Sequence, residues 1–128
     1  MPRDPRDLLP LKPLVFEVLL ALDAGERHGW SLVREIQQRS GVPVMPANFY
    51  RTLRTMLADG LIAEADPPRS DRAAAKRGGG EEALERRRYF MPTALGREAA
   101  KLEARRLQQI VADSRTQRLL KMPTSRKP

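Results

Sequence analysis

The chain has 128 residues and carries 24 Lys and Arg against 16 Asp and Glu, a net charge of +8. That length supports one domain with a modest core, and a composition 41% apolar and 31% charged excludes wholesale disorder. Without cysteine there is no disulfide framework, thiolate metal site or cysteine nucleophile, and a single histidine, His28, excludes a histidine-rich metal centre.

Residues 1–10, with three prolines among alternating charges, read as a loose arm. They lack the apolar core of a secretion signal, which predicts a cytoplasmic location. The apolar run from Leu14 to Leu22 is interrupted by Glu17 and is too short to span a bilayer, so no membrane partner is expected. Leu14, Val15, Val18, Leu19 and Leu22 fall on one helical stripe after Pro13, which predicts a first helix near 12–23, ended at Gly25. Leu32, Val33 and Ile36 repeat at helical spacing and predict a second helix over 29–40 before Gly41.

Pro46 suits the first turn of a third helix over 46–59, closed by Gly60. Phe49, Leu53, Met56 and Leu57 form its apolar stripe, and Asn48, Arg51, Thr52 and Thr55 share the other face. The segment 61–65 alternates as a strand does, and Arg86–Met91 reads as a second strand. Between them, residues 67–85 hold Pro, Gly, Ala and charge with little to bury, and read as a long flexible loop. Thr93 is a good N-cap for a single helix over 94–120. At 1.5 Å per residue that helix would reach about 40 Å, too long for one small domain. Its seam of Leu102, Leu107, Ile110 and Val111 is therefore expected to meet another chain, and residues 122–128 form a disordered tail.

Three helices, a hairpin and a long helix make a mainly α (α+β) winged helix-turn-helix, with residues 11–92 as the DNA-binding domain and 93–121 as the dimerisation helix. Three motifs sharpen this reading. His28-Gly29-Trp30 follows the first helix; Pro46-Ala47-Asn48-Phe49-Tyr50-Arg51-Thr52-Leu53 leads to Asp59-Gly60-Leu61-Ile62; Arg87-Arg88-Tyr89-Phe90-Met91 precedes Thr93-Ala94-Leu95-Gly96. In order and spacing they resemble the PadR family of bacterial transcriptional regulators, in its short-tailed subgroup. Met45 stands where that family often has a capping serine, and Pro92 where it often has leucine.

The resemblance implies a homodimer on double-stranded DNA, a repressor of palindromic operators released by a phenolic or other hydrophobic effector. On helix 3, Asn48 is suited to adenine and Arg51 to guanine or phosphate, with Tyr50, Thr52 and Arg54 beside them. Arg86, Arg87 and Arg88 suit minor-groove or phosphate contact, although alternation in a strand forbids all three from pointing one way. They equally suit a charged edge that blocks strand pairing. Trp30 can serve an effector cavity or the core. The glycines at 78–80 lack the Lys-Ser/Thr ending of a phosphate loop. No constellation of nucleophile, base and orienting group is present, so no enzyme, cofactor or metal is expected. The competing reading is a ligand-sequestering or protein-interaction module built on the same fold.

The bulk charge itself argues little for base reading. Residues 101–128 hold eight basic and two acidic side chains, whereas residues 46–97 hold ten basic and seven acidic.

Overall fold

In the computed structural model, residues 3–23, 27–41, 43–66 and 88–124 are described, the side chains of 27–30 excepted. Helix α1 (Pro13–Leu22) starts on a proline whose missing N–H costs nothing there, and buries Val18, Leu19, Ala21 and Leu22. Helix α2 (Gly29–Ser40) contributes Leu32, Val33 and Ile36 to the same core. Arg39 near its end donates to the Glu17 carboxylate (Nε–Oε2 3.0 Å) and carbonyl, tying α2 across α1. Helix α3 (Pro46–Ala58) packs Phe49, Leu53 and Met56 against both.

Gly60 ends α3 because the chain needs a left-handed residue there (φ +77°). Leu61 N–H returns to Met56 O at 2.9 Å and Gly60 N–H to Leu57 O at 3.2 Å, the paired bonds of a Schellman cap. The chain then enters β2 (Ile62–Ala65), which pairs antiparallel with β3 (Tyr89–Pro92) from Ile62 opposite Pro92 to Ala65 opposite Tyr89. Pro92 takes a terminal strand position, where a missing ladder donor is tolerated. A third strand that the sequence does not announce, β1 (Arg27–His28), pairs with β3 on its other side, giving the order β1-β3-β2. The architecture is a winged helix-turn-helix with a three-stranded wing sheet. The second strand, expected over 86–91, begins at Tyr89; Arg86, Arg87 and the loop expected at 67–85 lie outside the described residues.

Thr93 joins the wing to the next helix. Its hydroxyl donates to Gly60 O at 2.6 Å and accepts from Gly96 N–H at 3.0 Å, while its own N–H donates to Leu61 O at 3.1 Å. Helix α4 (Ala94–Ala112) approaches the core through Gly96 and Ala99. Gly96 has no alternative: a Cβ there would lie 2.0 Å from Leu61 O and 3.1 Å from Leu19 Cδ2.

Two expectations need correction. The single helix over 94–120 is two, α4 and α5 (Ser114–Lys121), broken at Asp113. Asp113 is extended (φ −60°, ψ 140°), and its carboxylate caps α5 by accepting from Arg115 N–H at 2.9 Å. Asp is weak inside a helix and strong at its start, so Asp113-Ser114 restarts the helix rather than continuing it. Helix α4 is therefore about 28 Å long rather than 40 Å. The N-terminal arm is also not loose over its described length. Pro5–Leu8 form a 3₁₀ turn capped by Asp4, Leu8 and Leu9 pack on the core, and Leu11 is buried. Of the tail, residues 122–124 carry no helix, and 125–128 lie outside the described residues.

Candidate nucleic-acid interface

Helix α3 is braced on every side except one. Its apolar stripe is sunk in the core, and its start is fixed by Gln37 Nε2 donating to Val44 O at 3.1 Å across the α2–α3 turn. At 100° per residue, Ala47, Arg51, Arg54 and Ala58 lie opposite the buried stripe, flanked by Asn48 and Thr55 on one side and Tyr50 on the other. All of these are exposed. Tyr50 keeps its ring edge-on to buried Phe49 (centroids 5.7 Å, 77°), which limits its freedom while leaving the phenol at the surface.

The electrostatics of this face are one-sided. Between Glu35 and Asp59 the chain carries three arginines, Arg39, Arg51 and Arg54, and no acid. Arg39 is held by Glu17. Among the described residues, Asn48, Arg51 and Arg54 form no side-chain hydrogen bond or ion pair, so their donors remain directed to solvent. Thr52 and Thr55 differ: their hydroxyls donate back to Asn48 O (2.9 Å) and Arg51 O (3.1 Å), which binds them to their own helix. Thr52 is half-buried and contributes less to the face than expected from the sequence.

The wing arginines separate. Arg88 is ion-paired with Glu64 and lies over the Phe90 ring, 5.8 Å from its centroid. Its charge is thus matched within the hairpin, unlike those of Arg51 and Arg54. Glu64 stands opposite Phe90 in the β2–β3 register, a neighbour the sequence does not reveal. His28 ends β1 and Trp30 lies in the first turn of α2, and their side chains lie outside the described residues.

The residues expected to meet another chain divide as well. Leu102 and Leu107 are half-buried, whereas Ile110 and Val111 are 45% and 49% exposed. Beyond the break, Leu119, Leu120 and Met122 are more exposed still and extend the apolar surface. Between these elements a shallow groove is lined by Arg106, Gln109, Ile110, Asp113, Arg115 and Thr116.

A charged residue missed from sequence anchors α4. Glu103 is buried and accepts from Arg106 Nε and Nη2 (2.7 and 2.8 Å). The hydrogen bonds from Arg106, aided by its charge and by Leu11, hold the Glu103 carboxyl below the usual carboxylate range despite the opposing effect of burial. An i,i+3 Glu-Arg spacing was the only sequence signal, and it is common on exposed helices.

No described helix is long and apolar enough to cross a membrane, and the described residues contain no group of three or more His, Cys, Asp or Glu placed to hold a metal. No family model matches the chain, and no curated protein matches its sequence. Solved structures do match in fold. A PadR-like transcriptional regulator from Bacillus cereus superposes with a TM-score of 0.65 at 18% identity, over 86% of this chain and 93% of that one. A transcriptional regulator assigned as putative from Thermoplasma acidophilum, TA0346, gives 0.62 at 17% identity, over 87% and 93%. RosR of H. salinarum gives 0.61 at 19% identity, over 89% and 90%. The chain thus shares over most of its length the winged-helix architecture of these regulators, and the comparison is one of fold.

Proposed function

We propose that the chain is a sequence-specific DNA-binding transcriptional regulator, an effector-responsive repressor that acts as a homodimer on a palindromic operator. The observation that carries this reading is the exposed face of α3: acid-free, rigidly backed, and bearing Asn48, Arg51 and Arg54 with no partner among the described residues. Asn presents the donor–acceptor pair that adenine matches in the major groove, and Arg the fork that matches guanine or phosphate. The regulators that share the fold support the same class.

In the dimer, the exposed Ile110, Val111, Leu119 and Leu120 meet their copies and set two α3 helices in successive major grooves, about 34–36 Å apart. An effector then acts by favouring a dimer with another spacing. Arg51 and Arg54 contribute base or phosphate contacts, Tyr50 a flank contact, and Arg86 and Arg87 a wing contact. Arg88 contributes only after leaving Glu64.

The test is a titration of the full chain against a selected duplex and random DNA of equal length over a salt series. The proposal predicts a preference of about 10³-fold or more for the selected duplex, with affinity falling as salt rises. Equal affinity for both duplexes excludes a sequence-specific regulator. No affinity at any salt favours the interaction-module reading, for which the exposed Ile110, Val111, Leu119 and Leu120 are the surface.

A further inference from the structure

The most exposed large apolar side chain among the described residues is Met45, at 70%, and it sits at the mouth of α3 rather than on the α4–α5 surface. Stability does not account for it. As N-cap of α3 it makes no side-chain bond to the first turn, where Ser or Asp would contribute about 1 kcal/mol. Nor does it bury apolar area in the core.

Its backbone is nonetheless held firmly. Val44 before it is half-buried and its carbonyl is bonded by Gln37; Pro46 after it has a fixed φ; Met45 O itself accepts from Phe49 N–H at 2.9 Å. The side chain is therefore presented at a set point, three residues before Asn48 at the start of a helix without acids. Ala47, one turn before Arg51 at the centre of the exposed face, is small enough to let the helix start come close to a groove floor. An exposed apolar tip at the start of an acid-free, arginine-bearing helix fits one feature of the duplex, the C5 methyl of thymine in the major groove.

Building on the proposed function, we infer that Met45 is a specificity residue that reads a thymine methyl beside the base pair contacted by Asn48. Met suits this because its thioether is polarizable and its chain flexible enough to seat on a methyl. The operator half-site then contains a thymine whose methyl matters although no donor or acceptor of that base is read. Asn48 accounts for a neighbouring adenine through hydrogen bonds, so the two residues together specify an A·T-containing step.

The experiment uses the full chain and its selected operator, with each half-site thymine replaced in turn by deoxyuridine, which removes only the methyl. Burial of one CH₂-sized group corresponds to about fourfold in affinity (about 0.8 kcal/mol). Wild type is expected to lose about fourfold at one thymine per half-site. Met45→Ser, which also supplies a cap, should bind the thymine and uracil operators equally, and Met45→Leu should restore the preference. Thermal unfolding of both variants checks that they remain folded. Equal wild-type affinity at every substituted position, on an operator still preferred over random DNA, overturns the inference and leaves the proposed function standing. A discrimination that survives in Met45→Ser overturns it too. Absence of any preferred duplex removes both.

Discussion

Replacing Gly96 by alanine inverts an ordinary rule. In a helix interior Gly→Ala stabilises by about 1 kcal/mol, through lower backbone entropy in the unfolded chain. Here the new Cβ would fall 2.0 Å from Leu61 O and 3.0 Å from Leu61 C, both backbone atoms that no rotamer change can move. Helix α4 must shift away from the α3–β2 turn. That shift strains the Thr93 N–H bond to Leu61 O and the Thr93 hydroxyl bond to Gly60 O, each worth about 1 kcal/mol net. Overpacking against Leu19 adds roughly 1–3 kcal/mol. Less the propensity gain, the net cost is about 2–4 kcal/mol, or a fall in Tm of roughly 7–15 °C for a chain of this size. Urea denaturation at constant m, with calorimetry alongside, measures it. An alanine variant as stable as wild type, or more so, would refute the close approach of α4 to Leu61, and with it the rigid joint between wing and α4.

Three further outcomes follow from the same geometry. Arg51→Ala should cost about 1–3 kcal/mol of DNA affinity and relax the preference at one base pair if Arg51 reads a base, whereas Arg88→Ala should change affinity by less than about 0.5 kcal/mol because Glu64 already matches its charge; anisotropy titrations of both variants decide it. Glu103→Gln should destabilise the chain by about 1–2 kcal/mol at pH 7, a range for bonds to a charged group reduced for the partly exposed Arg106. The Glu103 carboxyl is held below its unfolded value near 4.3, so its contribution is complete above that pH and is lost as pH falls through the lower folded value; denaturation midpoints of variant and wild type should converge towards pH 3. Ile110→Glu should place charge in the proposed dimer surface and give a monomer by light scattering at concentrations where wild type is dimeric; a wild-type monomer at micromolar concentration would count against the dimer itself.

Much of the fold was legible because its signals are local. Helices α1 to α3 carry apolar stripes bounded by Pro13, Gly41, Pro46 and Gly60, and the observed helices fall within a residue or two of those bounds. Strand β1 was not legible: two residues, Arg27 and His28, join the sheet through backbone bonds that no side-chain pattern announces. The break at Asp113 was written in a capping residue but masked by the apolar seam running through it. Three prolines made the N-terminal arm look loose, while Leu8, Leu9 and Leu11 were the better guide, since their packing on the core fixes it.

The candidate site shows the same division. Which residues share the exposed face of α3 follows from a period of 3.6. Which of them are already engaged does not. Thr52 is turned to its own backbone, and Arg88 is held by Glu64 through a cross-strand register that only the folded hairpin supplies. Glu103 illustrates the converse, because a carboxylate on a helix reads as solvent-facing until its helix is seen pressed on the arm.

Everything proposed for this chain depends on the α3 face reading base pairs. Selection of bound fragments from a random duplex library by the full chain tests it most directly. The expected product is an inverted repeat with half-sites centred about 10–10.5 base pairs apart, with one conserved position per half-site lost when Arg51→Ala is selected in parallel. Recovery of sequences with no shared motif, or an identical motif from wild type and Arg51→Ala together with Asn48→Ala, would contradict it.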